Sequence, residues 1–383
     1  MVSPIKTIDY EKLKQTVYKT SKDLFVDGSF VLLQTPQGEF IVSYGTTKKN
    51  HQKPPHIQTH FRIASNTKTM TAAVIVQQAQ EGKLNFQDRV SEYVDDVPNG
   101  DQITIEQLLN MRSGLDTYTS SCQIIASLDT DPDKVWKTDE ILDIALNMPP
   151  YSFPDFEYFY SNTNYALLGV IAEKIDDKSL SVIFENRLFK PLHLKNTLLP
   201  KAKSNKLPRP FSHGYQFVDS SYALIDKPFS PYVKASVRNG TYEAMDVTFQ
   251  NPSYASAAGG VISTAYDLAI WIKSLVTGQL FNNKYYLKWL NSLKPQDPTQ
   301  PNGQQYGYGI SQIRFSGNRL FFHGGELPGY NSAIAHDLVN DITLIVWTNL
   351  PVSIDGQTPA NTLMIEVLDE VYTNGPSTIE PVP

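Results

Sequence analysis

The chain has 383 residues, of which 41% are hydrophobic and 19% charged, a composition typical of a folded globular protein; its length predicts two lobes rather than one. The formal net charge of −6 and the lack of a basic run argue against nucleic-acid binding. The single cysteine, Cys122, rules out an internal disulfide and a cysteine-built metal site.

The N-terminal part of the sequence predicts a helix, a hairpin and a second helix. Apolar positions at helical spacing cover residues 8–24. Residues 29–34 and 39–44 are rich in β-formers and are joined by a turn that contains proline and glycine, which predicts a β-hairpin. A helix that is apolar nearly all round begins at Asn66 and is closed by Gly82.

The middle of the chain is dominated by helical patterns, with two irregular stretches between them. Helices are predicted over residues 104–111, 137–147, 164–175 and 180–188. Residues 115–135 are polar and irregular, and we expect them to loop over another part of the molecule. Residues 207–256 are crowded with proline and aromatic residues, and we expect a long connection there.

The C-terminal part returns to strands. A helix capped by Ser263 or Thr264 is predicted to end at Gly278. Strands follow over residues 308–314, 319–323, 331–335 and 343–348, and a last helix covers 358–371. Strands at both ends with helices between them predict an α+β fold, in which an antiparallel sheet is flanked by terminal helices and an all-helical domain is inserted. The predicted sheet domain is 1–90 with 250–383, and the mainly helical domain with long loops is 91–249.

A Ser-x-x-Lys pair opens the apolar helix. Residues three apart share a helix face, so the ammonium of Lys68 is expected beside the hydroxyl of Ser65. Burial favours the neutral amine, which can take a proton from serine. The spacing also fits a simple helix cap with a lysine that reaches the surface. Partners elsewhere in the chain have to decide between these interpretations.

Two further motifs supply such partners. Tyr160 and Asn162 precede a predicted helix: a tyrosine whose pKa is lowered by a nearby lysine can act as a base, and the amide can hold both the lysine and a substrate carbonyl. The alternative for Tyr160 is a core residue with a satisfied hydroxyl.

The third motif is His323-Gly324-Gly325, at the end of a strand. Its glycines let another backbone approach, so a substrate could bind as an extra strand, with the N–H groups of Glu326 and Ser65 as an oxyanion hole. A bulge and turn is the alternative.

Together the three motifs resemble the serine hydrolase family of class C β-lactamases, D-Ala-D-Ala carboxypeptidases, D-aminopeptidases and related esterases. The resemblance runs from about residue 29 to 349 and includes further stretches: Leu108-Leu109-Asn110-Met111-Arg112-Ser113-Gly114-Leu115, Pro191-Leu192-His193-Leu194, Ala257-Ala258-Gly259-Gly260-Val261-Ile262-Ser263-Thr264 and Pro328-Gly329-Tyr330-Asn331-Ser332. It implies the β-lactamase/transpeptidase fold, with the site in a cleft between the two domains.

The resemblance also implies roles for the motif residues. Ser65 would be the acylated nucleophile and Lys68 its proton-transfer partner. Tyr160 would be the base toward serine and then the acid toward the leaving group, and Asn162 would orient substrate. His323 stands where β-lactamases of this class carry lysine.

Two features depart from the carboxypeptidase and β-lactamase pattern. Gly324 replaces a threonine whose hydroxyl helps to hold the substrate carboxylate, and Glu326 would repel that carboxylate if it faces the cleft. Both are compatible with an amine-bearing, amide or ester substrate. A surface position for Glu326 is the commoner case.

The sequence therefore predicts a serine hydrolase that acts through a Ser65 acyl-enzyme on a small amide, a D-amino-acid-containing peptide or an ester, without metal or organic cofactor. A carboxylesterase of the same family and a penicillin-binding sensor that is acylated without turnover are the alternatives. The expected partner is a small-molecule or peptide substrate.

The sequence makes two predictions about location. No stretch approaches the length of a transmembrane segment. Residues 1–4 lack the features of a signal peptide, whereas the family is most often exported. We therefore expect either a cytosolic protein or one exported to the periplasm or medium with its signal removed.

Overall fold

The computed structural model describes residues 5–217, 229–315 and 317–373. Residues 1–4 and the Pro-rich tail beyond residue 373 lie outside the described residues. The helices are α1 (Tyr10–Asp23), α2 (Thr67–Gln80), α3 (Ile105–Leu109), α4 (Cys122–Thr130), α5 (Thr138–Asn147), α6 (Asn162–Asp176), α7 (Leu180–Phe184), α8 (Pro231–Arg238), α9 (Ser256–Gly259), α10 (Ala265–Val276), α11 (Asn283–Leu290) and α12 (Pro359–Val371). The strands are β1 (Gly28–Thr35), β2 (Gly38–Gly45), β3 (Phe61–Arg62), β4 (Tyr215–Gln216), β5 (Met245–Asp246), β6 (Ile262–Ser263), β7 (Lys294–Pro295), β8 (Gln305–Tyr306), β9 (Ser311–Phe315), β10 (Asn318–Leu327), β11 (Tyr330–Asp337) and β12 (Ile342–Thr348).

The main sheet joins the two ends of the chain. Its strand order is β2-β1-β12-β11-β10-β9-β8-β7, and the pairs are antiparallel. The N-terminal hairpin meets the C-terminal strands where β1 pairs with β12, with Val31 opposite Val346. The sheet predicted from strands at both ends of the sequence is therefore confirmed.

Alternating residues of β1 show that the sheet has a core on each face, as the two-residue period of a strand requires. Val31 and Leu33 belong to the cluster with the terminal helices α1 and α12. Phe30 and Leu32 belong to the large cluster on the opposite face, which contains α2 and α10. The terminal helices thus cover one face, and the helix that follows Ser65 lies on the other.

The larger core continues into the helices between the strands. Leu108 of α3, Ile171 of α6 and Ile183 of α7 share the cluster that contains Val74 of α2. The predicted fold class, α+β with an antiparallel sheet and a helical segment, is confirmed. The division of the chain at residues 90 and 250 remains a prediction. None of the described helices combines the length and the apolar character needed to cross a lipid bilayer.

Two predicted loops contain helices. Residues 122–130 form α4, capped by Ser121, whose hydroxyl accepts from the N–H of Ile124; the loop prediction for 115–135 is therefore wrong in its second half. The long connection over 207–256 contains α8, and its residues 218–228 lie outside the described residues. The helix predicted over 180–188 is α7 followed by a π-helical turn at Glu185–Phe189.

Candidate active site

Ser65 lies in a tight turn between a short strand and a buried helix. Strand β3 pairs with β6, a 3-10 turn follows at Ala64–Asn66, and α2 begins at Thr67. Ala64 has a φ of 51°, a left-handed conformation that costs free energy for a residue with a β-carbon. The turn presents Ser65 to the cleft at the N-terminal end of α2, where free backbone N–H groups favour negative charge.

Lys68 is fully buried and is held by three hydrogen bonds. Its Nζ is 2.9 Å from the Oγ of Ser65, 2.7 Å from the Oδ1 of Asn162 and 2.8 Å from the carbonyl oxygen of Ala258. None of these partners is a carboxylate. The amine predicted from spacing to lie beside Ser65 is therefore within hydrogen-bonding distance of it.

The protonation of Lys68 follows from its burial. Loss of hydration lowers its pKa well below the usual value for lysine. The neutral amine is an acceptor for the serine hydroxyl proton, whereas the ammonium is not. The environment therefore favours the form of Lys68 that can activate Ser65.

Tyr160 lies at the other side of Ser65, just before α6. Its hydroxyl is hydrogen-bonded to Ser65, and the Nζ of Lys68 lies 4.8 Å from the centre of its ring. Burial raises the pKa of Tyr160, and the contact with Ser65 offsets only part of that rise. The expected lowering of this pKa by a lysine ammonium is not found, because Lys68 itself is driven toward its neutral form. In this site Tyr160 is a neutral phenol that can donate a proton.

Asn162, the first residue of α6, is held from both sides. Its Oδ1 accepts from Lys68, its Nδ2 donates to the hydroxyl of Thr119 at 2.9 Å, and its backbone N–H donates to the hydroxyl of Thr117 at 3.1 Å. Thr117 and Thr119 belong to the polar stretch that was expected to loop over another part of the molecule. Their hydroxyls hold Asn162 in place, and the side-chain amide of Asn162 in turn positions Lys68.

His323 is buried and has a partner at each ring nitrogen. Its Nδ1 lies 2.6 Å from the carbonyl oxygen of Gly324, and its Nε2 lies 3.1 Å from the hydroxyl of Tyr306. Burial lowers the pKa of His323 to about 3, and a proton on Lys68 would lower it in the same direction. The ring is therefore neutral at physiological pH, and it supplies no positive charge in the place where the resembling β-lactamases carry lysine.

The strand that carries the third motif has a free edge at the site. Strand β10 pairs with β11 from Leu320 to its end at Leu327, but with β9 only as far as Phe322. Backbone groups of alternate residues in an antiparallel strand point to the same side. The backbone groups of Gly324 and Glu326 therefore point to an edge that β9 does not reach.

Gly325 allows the nucleophile turn to approach β10. A β-carbon at this position would lie 2.2 Å from the carbonyl oxygen of Ile63 and 2.9 Å from the Nδ2 of Asn66. Gly324 faces the other way, where a β-carbon would lie 3.2 Å from the Oδ1 of Asn361 on α12. Gly325 thus determines how closely β10 approaches Ser65.

The cleft beside Ser65 has a volume of about 450 Å³. Its lining is aromatic and polar: Ser65, Thr117, Tyr118, Thr119, Tyr158, Phe159, Tyr160, Asn162, Tyr254, Ala255, Ala258, Gly259, Glu326 and Leu327. Of the predicted site residues, Ser65, Tyr160, Asn162 and Glu326 line the cleft. His323, Gly324 and Gly325 are buried behind it, as is Lys68.

Several residues of this lining are not among those predicted from the sequence. Tyr118 and Tyr254 form part of the wall, and Tyr118 donates to the carbonyl oxygen of Tyr254. The Gly114-Leu115 end of a family-like stretch directly precedes Thr117–Thr119, so it could have identified these residues. Tyr254 stands in an irregular region, where no periodicity indicates which way a side chain points. In the described part of the chain, no group of three or more His, Cys, Asp or Glu is placed to hold a metal ion.

Comparison with known proteins decides the family. The model of the Beta-lactamase family matches residues 26–369, a range that contains all three motifs. The chain belongs to the Beta-lactamase family. This confirms the predicted membership in the serine hydrolases of that type.

Two curated proteins are similar to this chain in sequence, each with less than a third of the aligned residues identical. "Protein flp" of Staphylococcus aureus (strain MRSA252) is 29% identical over 301 residues, which are 76% of this chain and 53% of that protein. The "Putative penicillin-binding protein PbpX" of Bacillus subtilis (strain 168) is 23% identical over 348 residues, 90% of this chain and 75% of that protein. The chain thus spans about half the length of the first of these relatives.

Solved structures of the family match nearly the whole chain. A D-stereospecific amidohydrolase from a Streptomyces species has a TM-score of 0.78 and 25% identity, covering 94% of this chain and 98% of that one. The D-amino acid amidase of Ochrobactrum anthropi SV3 in complex with D-phenylalanine has a TM-score of 0.77 and 25% identity, with the same coverage.

Proposed function

We propose that this chain is a serine hydrolase that forms an acyl-enzyme at Ser65 and acts on a small amide, a D-amino-acid-containing peptide or an ester. The observation that carries the proposal is the placement of Lys68. Its buried amine is 2.9 Å from Ser65 and has no charged hydrogen-bond partner. A lysine without an acidic partner in a protein core costs free energy, and activation of the serine supplies a reason to keep it.

The proposed reaction begins with proton transfer from Ser65 to the neutral amine of Lys68. The serine oxygen attacks the substrate carbonyl, and the N–H groups of Ser65 and Glu326 stabilise the negative charge that develops on the carbonyl oxygen. When the intermediate collapses, the leaving group takes a proton from Tyr160, which recovers one from Lys68. Water then attacks the ester at Ser65 with the same groups as base and acid, so the protons balance over one turnover.

The choice of an amide or ester substrate rests on the charges around the cleft. Among the described residues the lining contains one carboxylate, on Glu326, and no lysine or arginine. Such a site suits an acyl group with an amine better than one with a free carboxylate. The two solved neighbours named for D-stereospecific and D-amino-acid amide hydrolysis support this substrate class.

The proposal is tested by mass measurement of the intact protein. The protein is exposed to D-amino-acid amides, short-chain esters and penicillins, and the mass added to Ser65 identifies the acyl groups that transfer. Ser65→Ala should abolish adducts and turnover, because the serine is the covalent centre. Turnover at the wild-type rate by that variant would refute the proposal.

A penicillin-binding sensor that is acylated without release is the second candidate. It is supported by the relative named as a putative penicillin-binding protein, and the acylation groups would be the same. Labelled penicillin separates the candidates. A label that persists for hours favours the sensor, rapid loss favours a β-lactamase, and absence of label together with turnover of amides favours the amidase.

A further inference from the structure

The leaving group of the proposed reaction must lie at the end of the cleft beside Tyr160. The leaving atom takes up a proton as its bond to the acyl carbon breaks, and the hydroxyl of Tyr160 is hydrogen-bonded to Ser65. The ring centre of Tyr160 is 6.2 Å from that of Tyr306 and 6.3 Å from that of His323. Tyr306 and His323 therefore pack near the ring of Tyr160, behind the lining of this end of the cleft.

A chain of hydrogen bonds closes this end of the cleft. The carbonyl of Gly324 can only accept, so the Nδ1 of His323 carries a proton and donates it there at 2.6 Å. In the neutral ring Nε2 is then the acceptor for the hydroxyl of Tyr306 at 3.1 Å. All three residues are buried. Both ring nitrogens are therefore occupied, and neither can bind a substrate.

The same series of hydrogen bonds engages a backbone acceptor on the strand edge to which an elongated leaving group would have to bind. The carbonyl of Gly324 points to the open edge of β10, where a peptide bound as an extra strand would donate its N–H. The imidazole of His323 already donates to that acceptor, so at most one of its two lone pairs is left for a substrate N–H. From this strand segment, Glu326 and Leu327 line the cleft, whereas His323, Gly324 and Gly325 do not.

No lysine, arginine or histidine lines the cleft among the described residues. Burial lowers the pKa of His323 to about 3 and lowers that of Lys68, so both favour neutral forms. The guanidinium of Arg112 lies near Tyr158 but outside the lining, and it donates to the carbonyl of Pro295. A carboxylate on the leaving group would lose its hydration here without direct contact to a cation.

We propose that the hydrogen-bond chain Tyr306–His323–Gly324 restricts the leaving group to small uncharged molecules, such as ammonia or a short amine or alcohol, and excludes those with a free carboxylate. The inference rests on the proposed acyl-enzyme function and narrows its substrate class. The C–N or C–O bond to the leaving group breaks as Ser65 is acylated, and water later releases the acyl group as a carboxylic acid. Tyr306 and His323 determine specificity without touching the reacting atoms.

Three substrates with the same acyl group test the proposal: D-phenylalaninamide, D-phenylalanyl-D-alaninamide and D-phenylalanyl-D-alanine. The last two have leaving groups of equal size that differ in charge. With the release of free D-phenylalanine as the readout, so that loss of ammonia from the end of the dipeptide amide is not counted, we expect kcat/KM to be highest for D-phenylalaninamide. It should be at least tenfold higher for the dipeptide amide than for the dipeptide acid. Equal values for the two dipeptides overturn the inference.

Variants at His323 show whether charge is the cause. His323→Arg places a cation at this end, because a guanidinium keeps its proton even where it is buried, and should raise the acid-to-amide ratio of kcat/KM at least tenfold. His323→Met, unbranched and uncharged, is the matched control and should leave the acid disfavoured. An unchanged ratio in a folded His323→Arg protein, judged by circular dichroism, overturns the inference.

Failure of this inference is distinguishable from failure of the proposed function. Acylation of Ser65 by the methyl ester of D-phenylalanine reports the acyl-enzyme with the same acyl group and with methanol, a small uncharged molecule, as the leaving group. Acylation combined with no turnover of the three substrates overturns the leaving-group inference alone. Absence of acylation overturns the proposed function and the inference with it.

Discussion

At the scale of single residues, burial determines the protonation of the site. It lowers the pKa of Lys68 and His323 and raises that of Tyr160, so all three favour uncharged forms. A site of neutral groups can exchange protons at low cost, because no strong ion pair has to be broken first. In the proposed reaction the amine is therefore the base toward Ser65, and the phenol is the acid toward the leaving group.

The neutral form of Lys68 should appear in the pH dependence of stability. In the unfolded chain the lysine binds a proton up to pH of about 10.4, whereas its folded pKa lies well below that. The unfolded state therefore binds more protons, and stability rises with pH between the folded and unfolded pKa values by about 1.4 kcal/mol per pH unit. We expect Lys68→Met to lose this slope.

Urea unfolding of the wild type and Lys68→Met between pH 7 and 10 measures the effect. The difference in unfolding free energy should shift in favour of the wild type as pH rises. Lys190→Met, which replaces a lysine whose side chain is 65% exposed, is the control and should leave the slope unchanged. Parallel curves for wild type and Lys68→Met would show that Lys68 is charged in the folded protein.

Replacement of Tyr160 should separate amides from activated esters. An amine has to be protonated as it leaves, whereas a good ester leaving group does not. We expect Tyr160→Phe to lower kcat/KM for an amide by about 10²–10⁴-fold and to affect a nitrophenyl ester much less. Steady-state rates with one acyl group on both leaving groups measure this. Equal losses on both substrates would mean that Tyr160 acts in serine activation instead.

At the scale of elements, the site depends on how closely β10 approaches the turn that carries Ser65. Gly325 lies on the face of β10 toward that turn, and its missing side chain leaves room for the carbonyl of Ile63. Neighbouring Gly324 lies on the opposite face, toward Asn361. The two glycines of the motif therefore make room for different parts of the structure.

Alanine at each glycine tests this difference. Gly325→Ala places a β-carbon 2.2 Å from a backbone oxygen, so β10 must move away from Ser65. We expect a loss of about 1–3 kcal/mol in unfolding free energy and a large fall in acylation rate. Gly324→Ala meets the side chain of Asn361 at 3.2 Å, which can turn, so its loss in stability should be smaller. Denaturant unfolding and ester labelling measure both; a greater loss at Gly324 would contradict the argument.

The elements were predictable where a local signal decides them. Local residue types predict the N-cap of α10 at Thr264 and the end of that helix before Gly278. They also predict the hairpin of β1 and β2. Helix α4 was missed because its short apolar stripe, Ile124 and Leu128, lies among polar residues. Helix α11 was not predicted either, because its buried face is equally short and centres on Trp289.

Part of the site was predictable because it depends on a local signal. Spacing along one helix places Lys68 beside Ser65, because both belong to one local element. The place of Tyr306 behind His323 depends on the packing of β8 against the rest of the sheet, which no local pattern encodes. The direction of the pKa shift of Tyr160 likewise depends on how deeply the folded chain buries it.

At the scale of the whole molecule, an ion-pair network joins the helices that carry the site. Arg187, in the π-helical turn after α7, lies 2.6 Å from Glu81 at the end of α2 and 2.5 Å from Asp176 at the end of α6. Lys83 contacts both carboxylates at 2.8 and 3.1 Å. Helix α2 follows Ser65, and α6 begins with Asn162, so the network ties together the far ends of the two helices.

The pKa values of the network connect it to the acid stability of the protein. The hydrogen bond from Arg187 lowers the pKa of Glu81 to about 2 against the effect of burial. Burial raises the pKa of Asp176, but Arg187 and Lys83 outweigh it and lower that pKa to about 2 as well. Both carboxylates therefore contribute stability above their unfolded pKa values near 4, and this contribution is lost as pH falls toward 2.

Arg187→Met should therefore destabilise the protein at neutral pH and much less in acid. Glu81 is 39% exposed, so solvent weakens part of the interaction, and we expect a loss of about 1–2 kcal/mol in unfolding free energy at pH 7. The difference from wild type should shrink between pH 5 and 2 as both carboxylates become protonated. Urea unfolding at pH 7, 5 and 3 measures it, with Lys190→Met, whose pair with Glu185 is exposed, as a control expected within 0.5 kcal/mol of wild type, roughly the range for surface substitutions. A difference that stays constant over this range would show that Arg187 stabilises the helices by packing rather than by charge.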